Sequence, residues 1–362
     1  MPPNRRPARI AGETISSPGG SRVNTGAEPG DDSPPQIRRI LCIDGGGIMG
    51  TFPAAFLASL EEDLGHPIGE CFDLIAGTST GGILAIGLAL GLPAQTLLDL
   101  YVTRGPHIFG QADHPVVSRL LDLWRGIKHV AVPKHEAGAL EAELATVLGE
   151  RKIGEAKTRL LIPAWDADNR SVYIYKTAHH PRLKTDYKHA ALDAAMATAA
   201  APTYYKRHKT ASDVGLLDGG VWANNPIALA VVEAITLLGW PRESLRVLSL
   251  GCVNEIYMLN EAPGWGRLAR DVTRLFMDGQ SRGALGMAKL LTGHIYEREA
   301  IFRICPDVPK GFFKLDDTRK IGRLRGLGVS AARSQRPIIE PIFLSSRAEP
   351  FVPTYNLTEI TP

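Results

Sequence analysis

Four cysteines in 362 residues are too few and too scattered for a disulfide scaffold, and no Cys/His spacing around Cys42, Cys71, Cys252 or Cys305 resembles a zinc site. Reduced, buried thiols of a cytosolic protein are the expectation, and neither a metal nor any other cofactor is expected. The longest apolar run, residues 83–92, falls far short of the roughly 20 residues that a membrane-spanning helix needs. The opening MPPNRRPARIAGETISSPGG has no apolar centre, so it does not read as a signal peptide. An excess of one charge is missing too. A net charge of +3 does not argue for a nucleic-acid polymer as partner, although a local basic face is compatible with that average.

Present instead is an ordinary globular balance of 44% hydrophobic and 22% charged residues, in a chain long enough to bury one large core or two modest ones. Residues 1–35 are rich in Pro, Gly, Ser and Arg without a hydrophobic period, and they read as a disordered tail. Residues 40–43, 72–76 and 245–250 are short apolar runs of the kind buried in parallel sheets. The first two run through glycine turns into helical patterns. In the first of these, Phe52, Phe56, Leu60 and Leu64 share one face. Residues 159–165 and 171–176 read as strands joined by the turn Asp166-Ala167-Asp168-Asn169. Strands alternating with helices predict a three-layer α/β/α fold with a mainly parallel sheet, followed by a C-terminal helical extension.

Three motifs carry chemistry. Gly77-Thr78-Ser79-Thr80-Gly81 lies between a buried strand and an apolar helix. A sharp strand-to-helix turn lifts a Ser hydroxyl clear of the backbone and demands small neighbours, which predicts a nucleophile at Ser79. A packing turn whose Ser merely caps the helix would look similar. Asp44-Gly45-Gly46-Gly47-Ile48-Met49-Gly50 also fits the dinucleotide pattern Gly-x-Gly-x-x-Gly. A dinucleotide site wants an acid at the end of the next strand, and here that strand ends in the Ser79 turn. An oxyanion hole built from the amides of Gly45, Gly46 and Gly47 is therefore the better reading. The third motif, Leu217-Asp218-Gly219-Gly220, puts a carboxylate at a strand end, although Asp-Gly is also a common turn.

In the order glycine loop, Ser turn, Asp-Gly, these motifs resemble the patatin-like phospholipases. The resemblance extends through residues 73–82, Ala200-Ala201-Pro202-Thr203-Tyr204, the stretch DGGVWANNP at 218–226, and Ser249-Leu250-Gly251. It implies a catalytic domain over 36–251, with residues 252–362 as a mostly helical extension packed on the same domain. It also implies a Ser–Asp dyad without histidine, with Ser79 attacking an ester carbonyl and Asp218 as base, supported by Gly50, Gly77, Gly81, Gly219 and Gly220. The implied substrate is phospholipid at a membrane surface, reached from the cytoplasm at the inner face. Bacterial members of similar length include anti-phage effectors activated by cyclic dinucleotides. This chain resembles them in length and in lacking membrane segments, which implies a cyclic dinucleotide activator and assembly into a homo-oligomer. A nucleotide-binding protein using the glycine loop and a non-catalytic lipid-binding module are the competing readings. One departure stands out: Met49 occupies a place where the family usually carries Arg or Lys.

Among the ten histidines only His294 follows Asp218, and it reads as a helix surface residue rather than a triad member. The stretch 318–336 carries Arg319, Lys320, Arg323, Arg325, Arg333 and Arg336 with no acid. It reads as a solvated helix face that could also meet anionic headgroups or phosphates.

Overall fold

The computed structural model describes residues 36–109, 137–202, 204–256, 265–294 and 298–359. The expected tail at 1–35 lies outside these, as do Trp124 and Thr203. The apolar run at 40–43 becomes the centre of the sheet. Strand β1 (Arg38–Ile43) pairs in parallel with β2 (Leu74–Gly77) on one side. On its other side it pairs in parallel with β7 (Leu245–Leu250). Ile40, Leu41, Cys42 and Ile43 are fully buried, as a strand covered on both faces requires.

β3 (Arg159–Asp166) continues the sheet in parallel beyond β2, and β9 (Ile301–Ile304) does so beyond β7. Three antiparallel strands, β4 (Ser171–Lys176), β5 (His208–Lys209) and β6 (Gly215–Asp218), complete an eight-stranded sheet. A separate parallel pair joins β8 (Asn254–Ile256) to β10 (Asp307–Pro309). The β3–β4 hairpin turns on the Asp166 carboxylate, which accepts the amides of Asp168 (3.0 Å) and Asn169 (2.9 Å).

Side chains alternate across the central strands. Leu41, Ile43 and Ile75 enter one core, whereas Ile40, Cys42, Leu74 and Ala76 enter the other. The first core is roofed by α1 (Thr51–Glu61), α2 (Thr80–Ala89), α3 (Ala94–Val102), α4 (Ala137–Leu148), α5 (Ala191–Ala199) and part of α8 (Ile321–Ile339). The second is closed by α6 (Ile227–Thr236) and α7 (Trp265–Thr292). All ten residues of α2 are buried, which explains why it is apolar all round rather than striped. Beyond Gly251 the chain supplies the β9 edge of this sheet as well as α7 and α8. On α8, Leu324, Gly328, Ala332 and Ile339 are buried. Of its cations, Arg336 reaches Asp63 at 2.8 Å and Arg323 lies over the Phe312 ring.

The pairing of β3 decides where the site forms. Leu161 pairs with both Ala76 of β2 and Lys176 of β4, and Ala164 pairs with both Tyr173 of β4 and Asp218 of β6. A strand has two edges, so β2 and β6 share one edge of β3, end to end, while β4 occupies the other. β2 runs with β3 and β6 against it, so their C-terminal ends point at each other across the level of Ile162 and Pro163. Pro163 has no N–H to donate, and it sits where that edge has no partner strand.

Candidate active site

Ser79 lies between β2 and α2 with φ 55° and ψ −125°. A non-glycine residue in this region costs on the order of 1–3 kcal/mol and persists only when its surroundings enforce it. The enforcement is visible. The Ser79 amide donates to Thr198 Oγ1 (3.0 Å), which in turn donates to the Pro163 carbonyl (2.6 Å). On the other side of Ser79, Thr78 Oγ1 donates to the Ala223 carbonyl (2.7 Å). Gly77 and Gly81 close the turn on each other. A Cβ at Gly77 would fall 2.1 Å from the Gly81 carbonyl oxygen, so no side chain fits there.

Asp218 ends β6 opposite this turn, buried, and faces the same cavity as Ser79. Its Oδ1 accepts the Gly220 amide at 2.6 Å. Burial pushes the carboxyl up to about 6, against the lowering effect of the bonds from Ser79 and Gly220. A carboxylate so placed is more basic than usual and still ionised near neutrality. Gly219 sits on the Pro163 carbonyl, and Gly50 packs against Thr80 and Tyr101.

The glycine loop is stitched to the same place. The Gly45 amide donates to the Asn224 carbonyl (3.0 Å), and the Gly46 amide makes a longer bond to Thr80 Oγ1 (3.2 Å). The Gly47 amide has no partner among the described residues. Gly47 has φ 57°, and the Leu315 carbonyl sits where its Cβ would be, at 2.3 Å. Glycine is needed there on both counts. Gly46 and Gly47 line the cavity above Ser79, whereas Gly45 does not. Of the three amides expected from sequence to form an oxyanion hole, those of Gly45 and Gly46 are thus engaged within the protein. The first turn of α2, beginning at Thr80, adds the partial positive end of a helix beside Ser79.

Asp44, at the base of the loop, is paired with Arg303 on β9 through both guanidinium nitrogens, one at 2.9 Å. Burial pushes the Asp44 carboxyl up and Arg303 opposes that. Although burial opposes its charge, Arg303 is held above its usual range by Asp44. The pair is therefore ionic and fixes the loop to the far edge of the sheet. Removing one partner leaves a buried charge alone, so Arg303→Met is expected to cost about 3–5 kcal/mol, read as a lower melting temperature. An unchanged melting temperature would show that Asp44 takes up a proton at no cost. Met49, where a basic residue was the family expectation, packs against the apolar cluster of Phe52, Val308, Phe313 and Leu324. That setting suits a thioether and disfavours a charge.

Above Ser79 opens a cavity of about 410 Å³, which Asp218 also lines. Its deeper wall includes Ile83, Leu100, Ile108 and Leu140, and no Lys or Arg is among the described residues that line it. Such a lining accepts a hydrocarbon chain and offers a phosphate no side-chain cation.

His294 lies elsewhere. Its ring accepts the amides of Ala300 and Ile301, both at 3.2 Å, at the start of β9. The residue follows the end of the helix Trp265–Thr292, whose last residue is about 24 Å along the helix from Phe276, which lines the cavity. Thr198, Asn224 and Thr80 are positioning residues that the motifs did not single out. The one sequence signal for them is Pro163, an interior-strand proline that marks a gap in the neighbouring strand.

The sequence was compared with known proteins. A family model described as patatin-like phospholipase matches residues 41–231. A Pseudomonas aeruginosa protein named cGAMP-activated phospholipase is 33% identical over 318 residues, covering 85% of this chain and 91% of that one. A Vibrio cholerae protein of the same name is 34% identical over 61% of this chain and 66% of its own length. Patatin-like protein 2 of Arabidopsis thaliana is 35% identical over 63% of this chain and 64% of its own. The glycine loop, the Ser79 turn and Asp218 all fall inside the matched span, and the chain belongs to the patatin-like phospholipase family of lipid ester hydrolases.

Proposed function

We propose that the protein cleaves fatty-acyl esters of membrane glycerophospholipids through a Ser79–Asp218 dyad, and that a cyclic nucleotide switches it on. One observation carries the catalytic part: Ser79 and a buried carboxylate of raised basicity line the same apolar cavity. Asp218 takes the Ser79 proton as Oγ adds to the ester carbonyl. The oxygen that becomes negative meets the Gly47 amide, the Gly46 amide turned from Thr80, and the N-terminus of α2. Collapse breaks the bond to the alkoxy group, which leaves with the proton from Asp218 as lysophospholipid. Water, deprotonated by the same carboxylate, then releases the fatty acid and restores Ser79. The buried apolar wall holds the acyl chain.

Activation is supported by the names of the Pseudomonas and Vibrio relatives, and by the need to restrain an enzyme able to digest its own cell's membrane. No helix among the described residues is long and apolar enough to cross a membrane, and we place the action at the inner membrane surface, reached from the cytoplasm. The activator would act by ordering the site or by assembling protomers around it. The test combines fluorophosphonate labelling of Ser79 with mass spectrometry of phospholipid products, with and without cGAMP and other cyclic nucleotides, alongside light scattering. Labelling and lysophospholipid release that rise with one nucleotide are expected. Full activity unchanged by every nucleotide would leave a constitutive lipase, and absence of labelling under all conditions would remove the dyad.

A further inference from the structure

Helix α7 carries an apolar face that nothing among the described residues covers. Its inner side, including Ala284, Ala288 and Thr292, is buried, and the two alanines pack in one core with Ile227 and Val231 of α6. On the outer side Phe276 is 64% exposed, Met287 54% and Leu290 59%, with Leu291 exposed as well. Met287, Leu290 and Leu291 share one face near the end of the helix, and Phe276 lies on the same face three turns earlier, roughly 16 Å away at 1.5 Å of rise per residue, with Gly283 between them, so together they form a broken apolar stripe. A soluble protein rarely leaves so many large apolar side chains in line on one helix without a partner for them.

Two further observations identify the partner. The stripe begins at the mouth of the active-site cavity, because Phe276 and Met277 line both the cavity and the helix. Over residues 275–292 the helix carries Arg282 and Lys289 against one acid, Asp278. Arg282 is exposed beside the stripe, and Lys289 falls on the same flank at helical spacing. An apolar stripe edged by cations is how a helix lies in the plane of an anionic lipid surface. A second copy of the chain would match the stripe but would bring an excess of like charge together.

We propose that α7 is the membrane-docking face: it lies in the headgroup layer of an anionic bilayer, so that the cavity opens into the lipid. This rests on the lipid ester hydrolase reading of the cavity, and it adds which surface meets the substrate's aggregate. An acyl chain would then slide from the bilayer along Phe276 to Ser79 without crossing water.

The experiment uses the full chain carrying Ser79→Ala, so that lipid is bound and not consumed, and co-sedimentation with vesicles of phosphatidylglycerol and phosphatidylethanolamine. Adding Met287→Ser, Leu290→Ser and Leu291→Ser, all remote from the dyad, is expected to weaken vesicle binding at least about tenfold. Lys289→Glu is expected to weaken binding to these vesicles and to leave binding to phosphatidylcholine vesicles unchanged. With Ser79 restored, the triple variant should hydrolyse a water-soluble short-chain ester at the unaltered rate while losing vesicle hydrolysis. Vesicle binding by the triple variant equal to its parent overturns the proposal. A change in oligomeric mass without a change in vesicle binding also overturns it, and assigns the stripe to a second copy. Because binding is read without turnover, failure of the docking face and failure of the catalytic dyad give separate results.

Discussion

Ser79→Ala is expected to lower phospholipid hydrolysis by at least about three orders of magnitude, under whichever conditions the unaltered protein turns over. In the proposed dyad the Ser79 hydroxyl is the group that forms the acyl-enzyme, and Ala has nothing to replace it. Melting temperature should change little. The turn is held by the Ser79 amide on Thr198, by Thr78 on Ala223 and by the close approach of Gly77 to Gly81. None of these involves the Ser79 hydroxyl, and Ala at φ 55° carries a similar backbone cost to Ser. Fluorophosphonate labelling should vanish together with activity. Activity within about tenfold of the unaltered protein would move the nucleophile elsewhere.

Asp218→Asn is expected to reduce turnover by about three to four orders of magnitude, since an amide fills the same space but cannot take a proton. The same substitution should stabilise the fold, with a defined pH dependence. Burial raises the folded-state carboxyl to about 6, against the lowering bonds from Ser79 and Gly220. Between the unfolded value and about 6 the folded state therefore holds more protons than the unfolded state. The stability this contributes is complete at acid pH and is lost as pH rises through about 6. Asn never ionises and does not lose it. Unfolding at pH 8 should show the variant more stable by about 3 kcal/mol, shrinking towards nothing near pH 4. In the unaltered enzyme kcat should climb about tenfold per pH unit below the Asp218 transition and level above it. A variant less stable at pH 8 would show that the bonds from Ser79 and Gly220 outweigh the burial of the charge. His294→Ala is the control: an inactive His294 variant beside an active Asp218 variant would replace the dyad with a His-based triad.

The motifs and the burial pattern were legible because local chemistry dictates them. The run at 40–43 has the character of a strand covered on both faces, and a Ser flanked by glycines between a strand and an apolar helix reads as a tight turn. The same holds for the Asp166 hairpin, where one carboxylate takes two amides within three residues. Less legible were contacts made by residues with no distinctive spacing. Thr198 sits in an Ala-rich helix and Asn224 between Ala223 and Asn225, and their roles come from segments far away in sequence. Arg303 is 259 residues from the carboxylate it fixes. The amide count in the glycine loop was also hidden, because the Gly45 amide is occupied by a carbonyl almost 180 residues on.

By itself the sequence determined the layers, the strand–turn–helix setting of Ser79, the strand end at Asp218 and the apolar character of α2, since periodicity and glycine placement act over a few residues. Only the tertiary structure decided that Ser79 and Asp218 meet. β2 and β6 approach head-on along one edge of β3, with Pro163 at the gap, and register between strands depends on pairing that no local pattern encodes. The tertiary structure likewise decided that Met49 faces an apolar cluster and that one side of α7 is uncovered by the described residues. An amphipathic pattern says that a helix has two faces, and only the packed neighbours say which of them is already taken.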